Sequence, residues 1–233
     1  MIDNKIILIT GTRKGIGRFL SQYYCDKGDF VIGCSRDNSD FTHENYQHFC
    51  LDISDEEKVL ELFSVIRKKY GRLDVLINNA GIASMNHFLL TPIGTVNRIL
   101  QTNLLGTFLF CREAGKIMLS NKYGRIVNFT TIAAPLHLEG EAIYAASKAA
   151  IENLTKTLSR ELGYYKITIN AIGATPIKTD LIKSVPEEKM TSLLQRQAIQ
   201  RYGEFKDITN VIDFFIRPES DFITGQIIYL GGV

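Results

Sequence analysis

Short apolar runs alternate along the chain with longer segments whose apolar positions recur every three to four residues. The runs are KIILIT (5–10), FVIGC (30–34), HFCL (48–51), LDVLIN (73–78), RIVNF (125–129), ITINAI (167–172) and QIIYL (226–230). Most are rich in Ile and Val and apolar on both faces, as strands buried in a parallel sheet are. Helical periodicity marks the stretches near 15–27, 55–69, 97–119, 141–162, 187–200 and 207–215. Strand alternating with helix predicts right-handed βαβ units and a parallel sheet covered on both faces. The expected class is therefore α/β, doubly wound. No linker, repeat or low-complexity tract interrupts residues 1–233, so one domain is expected.

Composition narrows the function. The 233 residues are 45% hydrophobic, enough for a sizeable core. Lys plus Arg number 27 against 25 Asp plus Glu, and no basic block stands out, which argues against nucleic-acid binding. Cys25, Cys34, Cys50 and Cys111 are far apart and form no CxxC, so they read as reduced thiols of a cytoplasmic protein. The four histidines are scattered, and no metal site is expected. No stretch reaches the ~20 apolar residues of a membrane span, and the opening apolar run is too short for a signal peptide.

Two stretches carry candidate chemistry. The first strand runs into TGTRKGIG (10–17), which sets Gly11, Gly15 and Gly17 in a strand-to-helix turn. Such a turn lets backbone approach a ligand, and the helix start offers free N–H groups and a positive dipole end to a pyrophosphate. The spacing is GxxxGxG rather than the general GxGxxG fingerprint, and a tight turn alone would also use glycines. In AIYAASKAA (142–150), Tyr144 and Lys148 stand one helical turn apart among small residues. A cation beside a phenol eases its ionisation, so the pair could be a catalytic acid and its tuner, or two surface residues on an alanine-rich helix.

TGxxxGIG near the start, NNAG at 78–81, Asn103 and YxxxK at 144–148 together resemble the short-chain dehydrogenase/reductase family, and the likeness runs on to ITGQ and GG at 223–232. The resemblance implies a Rossmann-type fold with a seven-stranded parallel sheet, and oligomers built through the helices near 97–119 and 141–162. It implies an NADP-dependent oxidoreductase in which Tyr144 exchanges a proton with the substrate oxygen. Lys148 would lower the phenol's pKa and hold the nicotinamide ribose. Thr131 stands where the family usually has a serine, with Thr130 as the one-residue alternative. Asn103 would position a relay water, or simply bond backbone at a helix irregularity. The dinucleotide contacts implied are Gly11, Arg13, Lys14, Gly15, Ile16 and Gly17 in the turn, then Arg36, Asp52 and Ile53. Asn79, Ala80, Gly81, Tyr144, Lys148 and Ile177 complete them, although Asp52 could instead cap the helix before SDEE. At the tip of the second strand Ser35 takes the place of the acid of NAD-dependent relatives. Lys14 and Arg36 would then converge on the 2′-phosphate of NADP, with Asp37 nearby as a complication.

On the substrate side the likeness loosens. Ala174 and Thr175 replace the usual Pro–Gly, and 181–203 would form a short lid with Leu193 and Leu194. His137 lies in the loop near the substrate position. The chain resembles the bacterial 3-oxoacyl-[acyl-carrier-protein] reductases, in which basic residues dock an acidic carrier. Lys122, Arg125 and Lys166 could form that patch, with Tyr165 in place of one expected arginine. The expected reaction is NADPH-dependent reduction of a 3-oxoacyl thioester. A sugar, polyol or other small carbonyl is the alternative, and an idle NADP-binding scaffold a third reading.

Overall fold

A computed structural model describes residues 4–183 and 185–233. It begins with β1 (Ile6–Thr10), α1 (Gly15–Asp26), β2 (Phe30–Ser35), β3 (Tyr46–Cys50), α2 (Glu56–Tyr70) and β4 (Val75–Asn78). There follow α3 (Ile93–Leu100), α4 (Thr107–Asn121), β5 (Gly124–Thr131), the single turn α5 (Ala133–Leu136) and α6 (Ala142–Gly163). The chain closes with β6 (Ile167–Ala174), α7 (Glu187–Gln195), α8 (Phe205–Ile216) and β7 (Ile227–Tyr229). All seven strands lie parallel in the order β3-β2-β1-β4-β5-β6-β7. This is the doubly wound Rossmann-type sheet the pattern predicts.

Apolar side chains leave both faces of the sheet because β1, β4, β5 and β6 are buried throughout or nearly so. On one face Leu8, Leu76 and Ile126 pack under α2 and α4, where Phe63 and Phe110 meet edge to face. On the other, Ile7, Ile9, Ile77 and Val127 pack under α1 and α8. The helix ends follow local rules: Asp55 accepts a hydrogen bond from the Lys58 N–H, and Gly71 ends α2 at φ 67°. The strand order reverses between β1 and β4, and there the carboxyl ends of the strands open a crevice.

Two expected helices differ. The stretch near 97–119 is broken by a π-helical segment, Gln101–Gly106, between α3 and α4. Within it Asn103 turns its side chain onto Ile82 backbone rather than to solvent. The helix expected over 187–200 ends at Gln195, because the Ala198 and Ile199 N–H groups turn to the carbonyls of Gly232 and Gly231.

Candidate active site

Strand register sets Thr10, Ser35, Asn78, Thr131 and Ala174 along the carboxyl edge of the sheet. Beneath them lies a cleft of about 470 Å³ running from the glycine turn to Lys148. Of the residues implied as dinucleotide contacts, all but Gly17 and Ile177 line it. Gly17 is buried, and a Cβ there would stand 2.2 Å from the Gly11 carbonyl oxygen, so it packs α1 against the turn instead. Ile177 lines an adjoining chamber of about 590 Å³.

The cleft suits a dinucleotide. Gly11 holds φ +76°, and a Cβ on it would sit 3.0 Å from the Ala80 Cα. The Asn79 side chain donates to the Thr10 carbonyl at 2.8 Å, and the Thr10 hydroxyl accepts the Ala80 N–H at 2.9 Å, tying β4 to the turn. Thr10 opens the TGxxxGIG motif, but sequence reasoning gave its side chain no role. α1 begins without a side-chain cap and without an acid in its first turn, so its first N–H groups are open to an anion. Asp52 also lines the cleft; its carboxylate accepts from Ser54, and Asp55 caps α2 in its stead.

The two cations expected to converge on one phosphate are differently engaged. Lys14 reaches across the cleft to Asp180 at 3.1 Å, and Arg13 pairs with Asp37 at 2.9 Å. Arg36 lines the cleft and makes no ion pair among the described residues.

Tyr144 joins cleft to chamber and lines both. Its phenol is pushed up to about 12, chiefly by burial, with the Thr131 hydroxyl acting against the rise and Glu141 adding to it. Lys148 is itself buried, donates to the Phe129 carbonyl at 2.9 Å, and is brought down to about 8 by desolvation. Thr131 lines the chamber; its oxygen accepts the Ala133 N–H at 3.2 Å, and its hydroxyl faces the Tyr144 phenol. Thr130 lines both spaces, but its hydroxyl hydrogen is engaged, donated to Glu152 at 2.6 Å.

Asn103 is fully buried and lines neither space. Its amide accepts from the Ile82 N–H (2.9 Å) and donates to the Ile82 carbonyl and Ser147 Oγ (both 3.0 Å). A Cβ on Gly81 would lie 3.4 Å from Asn103 Oδ1 and 3.3 Å from Lys148 Nζ, so the two groups flank that glycine together. Asn103 thus bonds backbone at a helix irregularity and keeps a lone pair near Lys148.

The chamber's lining comes from loops and α7. His137, at φ 49°, lines it, as do Glu141, Lys189 and Arg196. Burial raises the Glu141 carboxyl, against the pull of Lys189. Thr175 bonds the Gln197 side chain, tying the segment after β6 to the end of α7. The expected carrier patch fails geometrically. Arg125 is buried at the start of β5, with its guanidinium on the carbonyls of Gly124, Lys166 and Pro218. Six residues of strand, about 20 Å, separate it from Thr131.

A parallel doubly wound sheet, a glycine turn at the switch point and a Tyr–Lys pair beside it define a dinucleotide-dependent type of oxidoreductase site. The family model described as "Enoyl-(Acyl carrier protein) reductase" matches residues 11–232, and the chain belongs to the short-chain dehydrogenase/reductase family of oxidoreductases. The 3-oxoacyl-[acyl-carrier-protein] reductase FabG of Vibrio cholerae is 28% identical over 237 residues, 99% of this chain and 97% of the relative. Among solved structures, ElxO with NADP bound is 32% identical with TM-score 0.89, covering 97% of each chain. A 4-hydroxyisoleucine dehydrogenase complexed with NADH is 29% identical with TM-score 0.87, covering 98% of each chain. No described helix is long and apolar enough to cross a membrane.

Proposed function

We propose that this chain is a single catalytic domain that uses NADPH to reduce a ketone to a secondary alcohol, with a 3-oxoacyl thioester as substrate. The observation that carries the reading is Tyr144 at the junction of two spaces, a dinucleotide-shaped cleft and a mixed polar–apolar chamber. The glycine turn and the uncapped start of α1 would hold the diphosphate, and Lys148 the nicotinamide ribose. When bound, the reduced nicotinamide supplies a hydride to the carbonyl carbon. Thr131 would turn its hydroxyl from Tyr144 to the carbonyl oxygen, and Tyr144 would give that oxygen its proton. A phenol held near 12 beside an ammonium held near 8 is readily refilled, because the proton moves from the weaker base to the stronger. Asn103 would act through Ile82 and Ser147, as a positioning residue.

The Vibrio relative supports the acyl substrate, and ElxO the phosphorylated cofactor. Arg36, free of acidic partners among the described residues, supports NADP over NAD. Lys189 and Arg196 border the chamber and would meet the phosphates of a CoA or carrier arm. Glu141, facing the same chamber, favours the second reading, a hydroxyl-rich substrate such as a sugar or polyol. Phe88, Leu89, Leu90 and Ile93, each 73–80% exposed just before and at the start of α3, would be covered by a second copy in a homo-oligomer. Four unpaired cysteines fit a cytoplasmic setting.

The test follows NADPH and NADH absorbance with a short 3-oxoacyl thioester. Fast NADPH loss with little from NADH is expected. Turnover only with aldoses or polyols would move the substrate to the second reading, and a preference for NADH would overturn the cofactor assignment.

A further inference from the structure

The outer end of the cleft contains a polar network that this reaction does not use. Ser35 lines the cleft; its hydroxyl donates to the Asp37 carbonyl at 2.8 Å and meets His48 Nε2 at 3.1 Å. His48 Nε2 also lies 3.2 Å from that carbonyl. Across the ring, Nδ1 is 2.8 Å from the Tyr46 hydroxyl, which in turn is 2.9 Å from Thr12 Oγ1. Thr12 is fully buried. Gly33 makes the space: a Cβ there would stand 2.2 Å from the Tyr46 oxygen and 2.5 Å from Thr12 Oγ1.

A carbonyl can only accept, so the Asp37 contact puts a hydrogen on Nε2. In the neutral ring Nδ1 then accepts from Tyr46, which accepts from Thr12. In the protonated ring Nδ1 donates to Tyr46, and Tyr46 passes its own hydrogen to Thr12. Hydroxyls donate and accept, so both charge states are fully bonded. Burial favours the neutral ring in the free protein. The carboxylate of Asp37, whose carbonyl faces the ring, is already matched by Arg13 from the glycine turn, and Arg36 lines the cleft beside Ser35. Tyr46 stays neutral, because burial raises its phenol.

We propose that His48 is a specificity-determining, positioning residue: a 2′-phosphate seated at Ser35 is answered by a proton taken up on His48, so phosphorylated dinucleotide gains over unphosphorylated dinucleotide as pH falls. This rests on the NADP reading above. The negative phosphate favours the cationic ring: the incoming proton sits on Nδ1, where Tyr46 turns to accept it, while the Nε2–H, present in both charge states, keeps the Asp37 carbonyl bonded as the Ser35 hydroxyl turns to the phosphate. Solvent supplies the single proton, and no other bond is made or broken.

The test is calorimetric titration of NADP+ and NAD+ near pH 6.5, in two buffers of unlike ionisation enthalpy, for the native protein and His48→Gln. The phosphate's own titration, with a pKa of about 6, is common to both proteins and cancels between them. Proton uptake for NADP+ minus that for NAD+ should be larger in the native protein by about 0.3–0.5 proton. Equal counts in the two proteins overturn the inference. If the variant does not fold, the native His48 ring is titrated by NMR. Its midpoint should rise by about one unit with NADP+ and not with NAD+, and an unmoved midpoint overturns the inference. NADP+ binding no tighter than NAD+ would instead remove the cofactor reading, and this one with it.

Discussion

The cleft and the chamber meet at Tyr144, yet they are built by opposite means. The cleft is formed by strand ends and by backbone. Its turn is fixed by Gly11 at φ +76°, by the close packing of Gly17, and by Thr10 and Asn79 bonding across β1 and β4. The chamber is closed by connecting segments and by α7, a helix in which Met190 alone is buried. Backbone pinned by a sheet can serve one invariant ligand shape, whereas side chains on a lightly packed helix can change with the substrate. The names of the relatives fit this division, since 3-oxoacyl-[acyl-carrier-protein] reductase and 4-hydroxyisoleucine dehydrogenase share the fold while acting on different molecules.

The largest effect should come where the two regions meet. Tyr144→Phe should cut turnover by about 10²–10⁴-fold while leaving NADPH affinity unchanged; stopped-flow kinetics beside fluorescence titration would check this, and normal turnover would remove the phenol from the mechanism. Next is Gly17→Ala. Its Cβ meets the Gly11 carbonyl oxygen at 2.2 Å, so dinucleotide affinity should fall about tenfold or more and stability by about 1–3 kcal/mol. Unchanged affinity would mean that the cleft tolerates movement as the chamber does.

Lys148→Met tests the cost of burying the cation. The fold holds this ammonium near 8 against 10.5, so between those values the unfolded chain binds the extra proton and native stability rises with pH. The variant should be inactive and about 1–3 kcal/mol more stable at pH 7, an excess that shrinks as pH climbs from 8 to 10.5. Urea melts across that range would show it, and a variant less stable at neutral pH would contradict it. The smallest effect is expected at Asp180, which sits on the segment after β6 and holds Lys14 across the cleft. Asp180→Asn should release Lys14 and tighten NADP+ about two- to five-fold, with NAD+ unchanged. If both weaken in binding assays, the pair serves to hold that segment over the cleft instead.

The sheet, the glycine turn and the Tyr144–Lys148 spacing were legible in the sequence, because each rests on local periodicity or on residues within one turn of chain. The break in the helix at Asn103 was foreshadowed only as an alternative role, since a π-helical segment leaves no periodic mark. In the carrier patch of Lys122, Arg125 and Lys166, Arg125 was misread because charge says nothing of burial: it is buried at the start of β5 with its guanidinium on carbonyls, while Lys122 and Lys166 stay exposed at the far ends of the strands.

By itself, then, the sequence determined an alternating α/β chain, the place of the turn, and a phenol and an amine on one helical face. Tertiary structure alone decided which acids hold Arg13 and Lys14, that burial raises the Tyr144 phenol and lowers the Lys148 ammonium, and that Ser35 and His48 share one network. Each of these joins segments far apart in the chain, or depends on how much water the packed layers exclude. Neither contact partner nor local dielectric is a property of neighbouring residues; both arise only when the sheet and its helices close on one another.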